Sequence, residues 1–241
     1  MRPAPARILA WTAVLPLGAC AGTGEHELSR ERALLERAIR AAGGEDALAR
    51  SPVLAWTGSA VVHAGDHEIA LVGEWTVQPP DMAISRTWPR DEGRSSPREI
   101  SISSVSGTMT LGGRTSPMPQ AMLAHERQQF GLYGIMRLLP LRDERVTLGP
   151  LAKDARGRRG LRAAKAGEPA VDLYFGPDGR LAALITTVRD PATGAAVREQ
   201  IELEGSIEGA GIRWPRNLRI NRDGAPYFDL SIETFRPRAS W

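Results

Sequence analysis

The chain has little of what most enzymes and metalloproteins carry. Its 241 residues contain one cysteine, Cys20, so no disulfide can close within the chain. Only four histidines are present. His63 and His67 are four apart but flank the Ala64-Gly65-Asp66 turn, with no further ligand evident to complete a metal site. His26 lies in the N-terminal segment, and His125 stands beside Glu126 on a helical stretch where exposure is expected. No Gly-x-Ser-x-Gly elbow, His-Glu-x-x-His pair or phosphate-cradling glycine loop occurs. No catalytic residue and no cofactor are therefore expected, and the chain reads as a non-enzyme. Charge of one sign is also scarce, with 31 basic residues against 28 acidic and a net charge of +3. That small surplus gives no footing for nucleic-acid binding. Lysine is confined to Lys153 and Lys165, a bias matching the Ala, Gly and Arg richness of a GC-rich coding sequence. The densest basic stretch, Arg156-Gly157-Arg158-Arg159, reads as a solvated loop, with anionic headgroups as its functional alternative.

Long apolar runs are missing as well. The longest, Ile8 to Leu17, follows Arg2 and Arg7 and is far below the roughly 20 residues that a membrane-spanning helix needs. It fits the apolar region of an export signal. Leu17-Gly18-Ala19-Cys20 ends it and resembles the lipobox of bacterial lipoproteins, in which diacylglycerol joins the cysteine sulfur and the signal is cut just before it. The resemblance implies lipidation of Cys20, anchorage to a membrane, and, with Ala21 rather than Asp next, the outer membrane facing the periplasm. It also accounts for a lone cysteine in an exported protein. The expected organisation is a signal peptide over 1–19, a lipidated cysteine and tether over 20–28, and one domain over 29–241.

Beyond the tether, Ser29 can cap a helix whose Leu34, Leu35, Ala38, Ile39 and Ala42 recur at helical spacing. Gly43-Gly44 ends it, and Glu45 to Arg50 offers one more turn. From Val53 the period becomes two. Leu54, Trp56, Ala60 and Val62 share a face, as do Ile69, Leu71, Trp75 and Val77 after the turn; Met82, Ile84 and Trp88 alternate in the next strand. Met122, Phe130, Tyr133 and Met136 suit one face of a helix between Pro117 and Leu141, which Gly131 and Gly134 are expected to divide. The last ninety residues alternate most strictly, with turns at Asp178-Gly179, Pro191 to Gly194, Gly209 to Gly211 and Asp223-Gly224. The fold class is mainly β (α+β): a curved antiparallel sheet forming an incomplete barrel, its concave face covered by helices.

Ala42-Gly43-Gly44, Trp56-Thr57-Gly58, Val171-Asp172-Leu173-Tyr174-Phe175 and Gly211-Ile212-Arg213-Trp214-Pro215, in that order, resemble the outer-membrane lipoprotein-sorting (LolA/LolB-like) superfamily over most of the mature chain. The resemblance implies an apolar cavity lidded by helices, which in the sorting proteins accepts acyl chains of lipoproteins in transit. An anchored chain is nearer in topology to the membrane-attached receptor than to the soluble shuttle. No functional residue of those proteins is carried over onto this chain. The residues expected to line a cavity for a lipid, an acyl chain or another apolar ligand are Trp56, Ile69, Leu71, Trp75, Val77, Ile84 and Trp88. The alternative is a structural lipoprotein that uses the same sheet as a platform for envelope proteins, without a ligand.

Overall fold

The computed structural model describes residues 22–241, with side chains from Arg30 onward. Cys20 and the export signal expected over 1–19 lie outside the described residues. The chain opens with α1 (Gly22–Ala41) and α2 (Glu45–Arg50), then the strands β1 (Leu54–Ala64), β2 (His67–Gln78), β3 (Met82–Pro89), β4 (Arg98–Ile102), β5 (Gly107–Leu111) and β6 (Arg114–Pro117). Helix α3 (Gln120–Met136) and a short 3-10 turn follow. The second run holds β7 (Val146–Leu151), β8 (Arg159–Lys165), β9 (Val171–Phe175), β10 (Leu181–Arg189), β11 (Ala196–Glu204), β12 (Ile207–Gly209), β13 (Ile212–Trp214), β14 (Asn217–Arg222) and β15 (Ala225–Phe235). Helix α1 begins seven residues before Ser29, which is therefore inside the helix and not its cap.

Thirteen strands form one antiparallel sheet in the order β6-β5-β4-β3-β2-β1-β15-β14-β11-β10-β9-β8-β7. Two meanders are thus joined where the first long strand, β1, pairs with the last, β15. The sheet does not close: β6 and β7 remain its edges, and the half-barrel encloses one apolar face. Pro150 is tolerated in β7 because an edge strand has backbone donors to spare.

The alternation places Leu54, Trp56 and Ala60 of β1, Trp75 and Val77 of β2, and Ile201 and Leu203 of β11 in the core. Strand β3 departs from the pattern expected of it. Its register pairs Ser85 with Trp75 and Ala83 with Val77, so Ala83, Ser85 and Thr87 face inward. Ile84 and Trp88 are on the convex face. Trp88 is buried there because Arg94 lies over its ring, 5.3 Å from the centroid. A two-residue period fixes which residues share a face but not which face is dry.

Helix α3 is continuous through Gly131 and Gly134. Gly134 serves proximity: a Cβ there would stand 2.8 Å from the Pro79 side chain at the β2–β3 turn. The other half of α3 is pinned by polar bonds. His125 donates from Nδ1 to the Arg189 carbonyl at 2.8 Å, and its Nε2 accepts from the Arg222 guanidinium at 3.2 Å. Arg222 also donates to Glu199 at 2.9 Å, and Gln129 donates to the same carboxylate at 3.1 Å. Gln128 bonds the Thr187 carbonyl and the Arg189 amide. His125 is thus buried, against the exposure expected for it, because it is one link between the helix and strands β10, β11 and β14. The Arg156–Arg159 stretch is an exposed loop as expected, except that Arg158 is half-buried and pairs with Asp154 and Glu202; Arg156, though exposed, also reaches Glu202.

At the other end, α1 buries Leu35, Ala38 and Ile39 and turns at Gly43-Gly44 against the small sheet of β12 and β13. Ala42 accepts from the Arg213 amide at 2.9 Å. Gly43 has a φ of 120°, and a Cβ on it would lie 2.1 Å from the Gly211 carbonyl oxygen; Gly44, with a φ of 88°, has open space. Two expectations follow for equilibrium urea denaturation. Gly44→Ala loses about 1–3 kcal/mol, the cost of a backbone at φ 88° and ψ 164° that is essentially restricted to glycine, whereas Gly43→Ala loses more because the clash is with backbone. Arg222→Ala, which strips the charged partner from a fully buried Glu199 and leaves it only Gln129, loses about 3–5 kcal/mol and speeds amide exchange in the His125–Gln129 half of α3.

Candidate functional site

Between α3 and the concave face lies a cavity of about 710 Å³. This is inside the roughly 300–1,000 Å³ range of small-molecule sites. Its apolar lining comes from both meanders and from the helix. Ile69, Leu71 and Trp75 stand on β2, Ile201 on β11, Leu218 and Ile220 on β14, Phe228 on β15, and Phe130, Tyr133 and Met136 on α3. A further groove of about 630 Å³, where α3 meets β10, is lined by the charged residues Arg162, Asp172, Arg189 and Arg198 and offers no comparable apolar wall.

Aromatic packing sets the shape of the inner end. Trp56 and Trp75 stack with centroids 6.2 Å apart, and the Tyr133 ring lies 4.9 Å from Trp56. Gly73 lets the Trp75 ring lie back along its own strand, since a Cβ there would come within 2.5 Å of it. Burial pushes the Tyr133 hydroxyl up from its ordinary range, with Glu199 and Glu126 acting in the same direction. That hydroxyl stays a neutral donor.

The outer end is polar. Thr87, Arg98, His125, Glu126 and Gln129 line it, with Arg222 and Glu199 directly behind. Arg222 stacks over Tyr227, its guanidinium carbon 3.4 Å from the ring centroid. Burial holds the Glu126 carboxyl above the usual carboxylate range, although His125, Arg98 and Arg222 act the other way. Among the described residues no group of three or more His, Cys, Asp or Glu is placed to hold a metal ion. His63 instead bonds Asp229 at 3.1 Å and approaches Glu68. The arrangement can enclose an apolar chain and hydrogen-bond a polar group at its mouth.

Of the seven residues expected to line a cavity, Ile69, Leu71 and Trp75 do so. Trp56 stands behind Trp75 as its support, and Val77 is fully buried in the core deeper along β2. Ile84 and Trp88 face away, on the convex side. The walls from β11, β14 and β15 were legible as alternation but not as site, because nothing local says that the sheet's second half curls over the first. Glu199 carried a signal. It continues the face of Ile201 and Leu203, and Arg222 continues that of Leu218 and Ile220, so a charge pair falls on the dry side of two adjacent strands.

No protein-family profile matches the chain, and no curated protein matches it in sequence. Solved structures do match it in shape. A LolA superfamily protein from Nitrosomonas europaea aligns with a TM-score of 0.56 at 12% identity, over 86% of this chain and 93% of that one. A putative outer membrane lipoprotein-sorting protein domain from Vibrio parahaemolyticus gives 0.55 at 10% identity, over 88% and 94%. A DUF1329 family protein from Desulfovibrio piger gives 0.58 at 7% identity, over 87% and 94%. An open thirteen-stranded half-barrel with a helix across its concave face, superposing on these proteins over nearly their whole length, has the LolA-like fold.

Proposed function

We propose that the protein is a lipoprotein anchored through Cys20 in the outer membrane and facing the periplasm, whose half-barrel holds a lipid, a lipoprotein acyl chain or another apolar ligand without chemically altering it. The cavity of about 710 Å³ under α3, walled by apolar side chains, carries this reading. Burial of an alkyl chain there at about 25 cal/mol per Å² supplies the driving force. The LolA-like fold supports it, and the lipobox-like Leu17-Gly18-Ala19-Cys20 supports the anchor. A second reading, a ligand-free platform for envelope proteins, is favoured by the exposed Val105 in the β4–β5 turn.

Native mass spectrometry with lipid extraction, on protein purified from a bacterial envelope fraction, separates the two. Co-purifying phospholipid, fatty acid or acylated peptide is expected, and Trp75→Asp lowers its yield at least about tenfold by placing a charge in the apolar wall. Leu71→Asp, nearer the mouth, does the same with less risk to the core, and circular dichroism checks that both variants fold. A protein that carries nothing and refuses added lipid moves the assignment to the platform. For the anchor, the mature chain is expected to begin at a diacylglycerol-modified Cys20 by intact mass. Cys20→Ser abolishes the lipid mass and membrane association together; a Cys20→Ser protein that still sediments with membranes overturns the anchor.

A further inference from the structure

The cavity is graded from apolar to polar along three of its strands and along α3. Strand β4 places Arg98 toward the mouth and Ile100 deeper, β11 places Glu199 before Ile201, and β14 runs from Leu218 and Ile220 out to Arg222. On α3 the sequence is Glu126 and Gln129, then Phe130, Tyr133 and Met136. Several polar groups at the mouth are already matched: Glu199 has Arg222 and Gln129, and His125 has Arg222 and the Arg189 carbonyl. The charged pair Arg98 and Glu126 is not. Among the described residues, neither the exposed Arg98 guanidinium nor the half-buried Glu126 carboxyl makes an ion pair or side-chain hydrogen bond, and the Thr87 hydroxyl and the exposed Glu92 line the same mouth unpaired. A cationic donor and a carboxyl group therefore line the same space without pairing to each other.

We propose that this mouth is a headgroup site for the carboxyl of a single-tailed fatty acid, with Arg98 donating to its carboxylate and the Glu126 carboxyl sharing a proton with it, while the tail runs inward past Phe130 and Trp75. The inference rests on the cavity being a ligand site and narrows what it takes. A carboxylate brings the opposite charge to Arg98, which a neutral ligand does not, and an amine places a third cation beside Arg98 and Arg222. Burial holds Glu126 above the usual carboxylate range, which favours a shared proton there. Volume agrees. At about 30 Å³ per non-hydrogen atom, the share of one water in the liquid, 710 Å³ holds about 24 such atoms. A long-chain fatty acid fits that count with its whole tail enclosed.

The test is displacement of cis-parinaric acid, a fluorescent fatty acid, from the purified and lipid-stripped protein. Hexadecanoic acid is expected to compete about tenfold to a hundredfold better than its methyl ester, the range of a hydrogen bond to a charged group. Arg98→Ala removes that preference while leaving the ester unchanged, and Arg98→Lys retains part of it. Glu126→Gln, whose amide still donates, keeps most of the preference. Acid and ester competing equally would overturn the headgroup site and leave the apolar cavity standing. A preference for the acid that survives Arg98→Ala overturns the assignment of Arg98, and a single-tailed phosphate that outcompetes the acid overturns the carboxyl class. If neither the fluorescent acid nor any competitor binds, the cavity reading falls with this one.

Discussion

Everything in this molecule depends on how α3 is held above a sheet that does not close. Thirteen strands in one curved layer expose an apolar concave face that must be buried against something. A helix collapsed onto it would fill the space with side chains, and a helix held too far off would leave the face wet. The separation is set at both ends of α3, by different chemistry. Toward the C-terminus Leu132 and Met136 are buried in the core, Tyr133 packs against Trp56, and Gly134 meets Pro79 at close range. Toward the N-terminus the fastening is polar and directional, through His125, Gln128 and Gln129 to β10, β11 and β14. Non-directional burial alone favours the shortest distance. Hydrogen bonds of defined length resist collapse, and between the two fastenings the cavity persists.

The polar fastening has a thermodynamic character that the apolar one lacks. Glu199 is fully buried, and desolvating a carboxylate is tolerable only because Arg222 and Gln129 meet it. Such a pair adds little net stability over a well-packed apolar substitute, but it penalises every arrangement in which the partners separate. It therefore acts more on specificity, by fixing where the helix sits, than on total stability. Arg222 is central because it also stacks on Tyr227 and donates to His125. One side chain ties β14 to β11, β15 and α3 at once.

Much of the fold was legible in the residues. Period-two alternation from Val53 onward and the Asp-Gly and Gly-Gly turns mark the meanders, and Leu35, Ala38 and Ile39 mark the buried face of α1. Strands β7 and β8 were not legible, because Gly149-Pro150 and Gly160 with Ala163-Ala164 give no contrast between faces. The inward face of β3 was misread because a large side chain is a poor guide to direction when an arginine can roof it, as Arg94 roofs Trp88. Continuity of α3 through two glycines was hidden for a similar reason. Helix propensity penalises glycine by about 1 kcal/mol, and a tertiary contact such as Gly134 against Pro79 reverses the choice. The apolar half of the site was partly visible in Ile69, Leu71 and Trp75, whereas its polar half is a product of register between distant strands.

The two segments Ala42-Gly43-Gly44 and Gly211-Ile212-Arg213-Trp214-Pro215, far apart in sequence, turn out to be a single structural unit. Gly43 is pressed against the Gly211 carbonyl, Arg213 bonds Ala42, and Trp214 stacks on Phe235 at 5.6 Å. Strand β15, which carries Phe235, is also the strand that joins the two meanders through β1. The end of α1 is thereby locked to the seam of the sheet, at the opposite end of the half-barrel from the polar fastening of α3. Glycine at position 43 is thus required by contact as much as by backbone conformation. The seam constrains backbone approach, which few side chains satisfy, whereas the cavity constrains only volume and polarity, which many side chains satisfy.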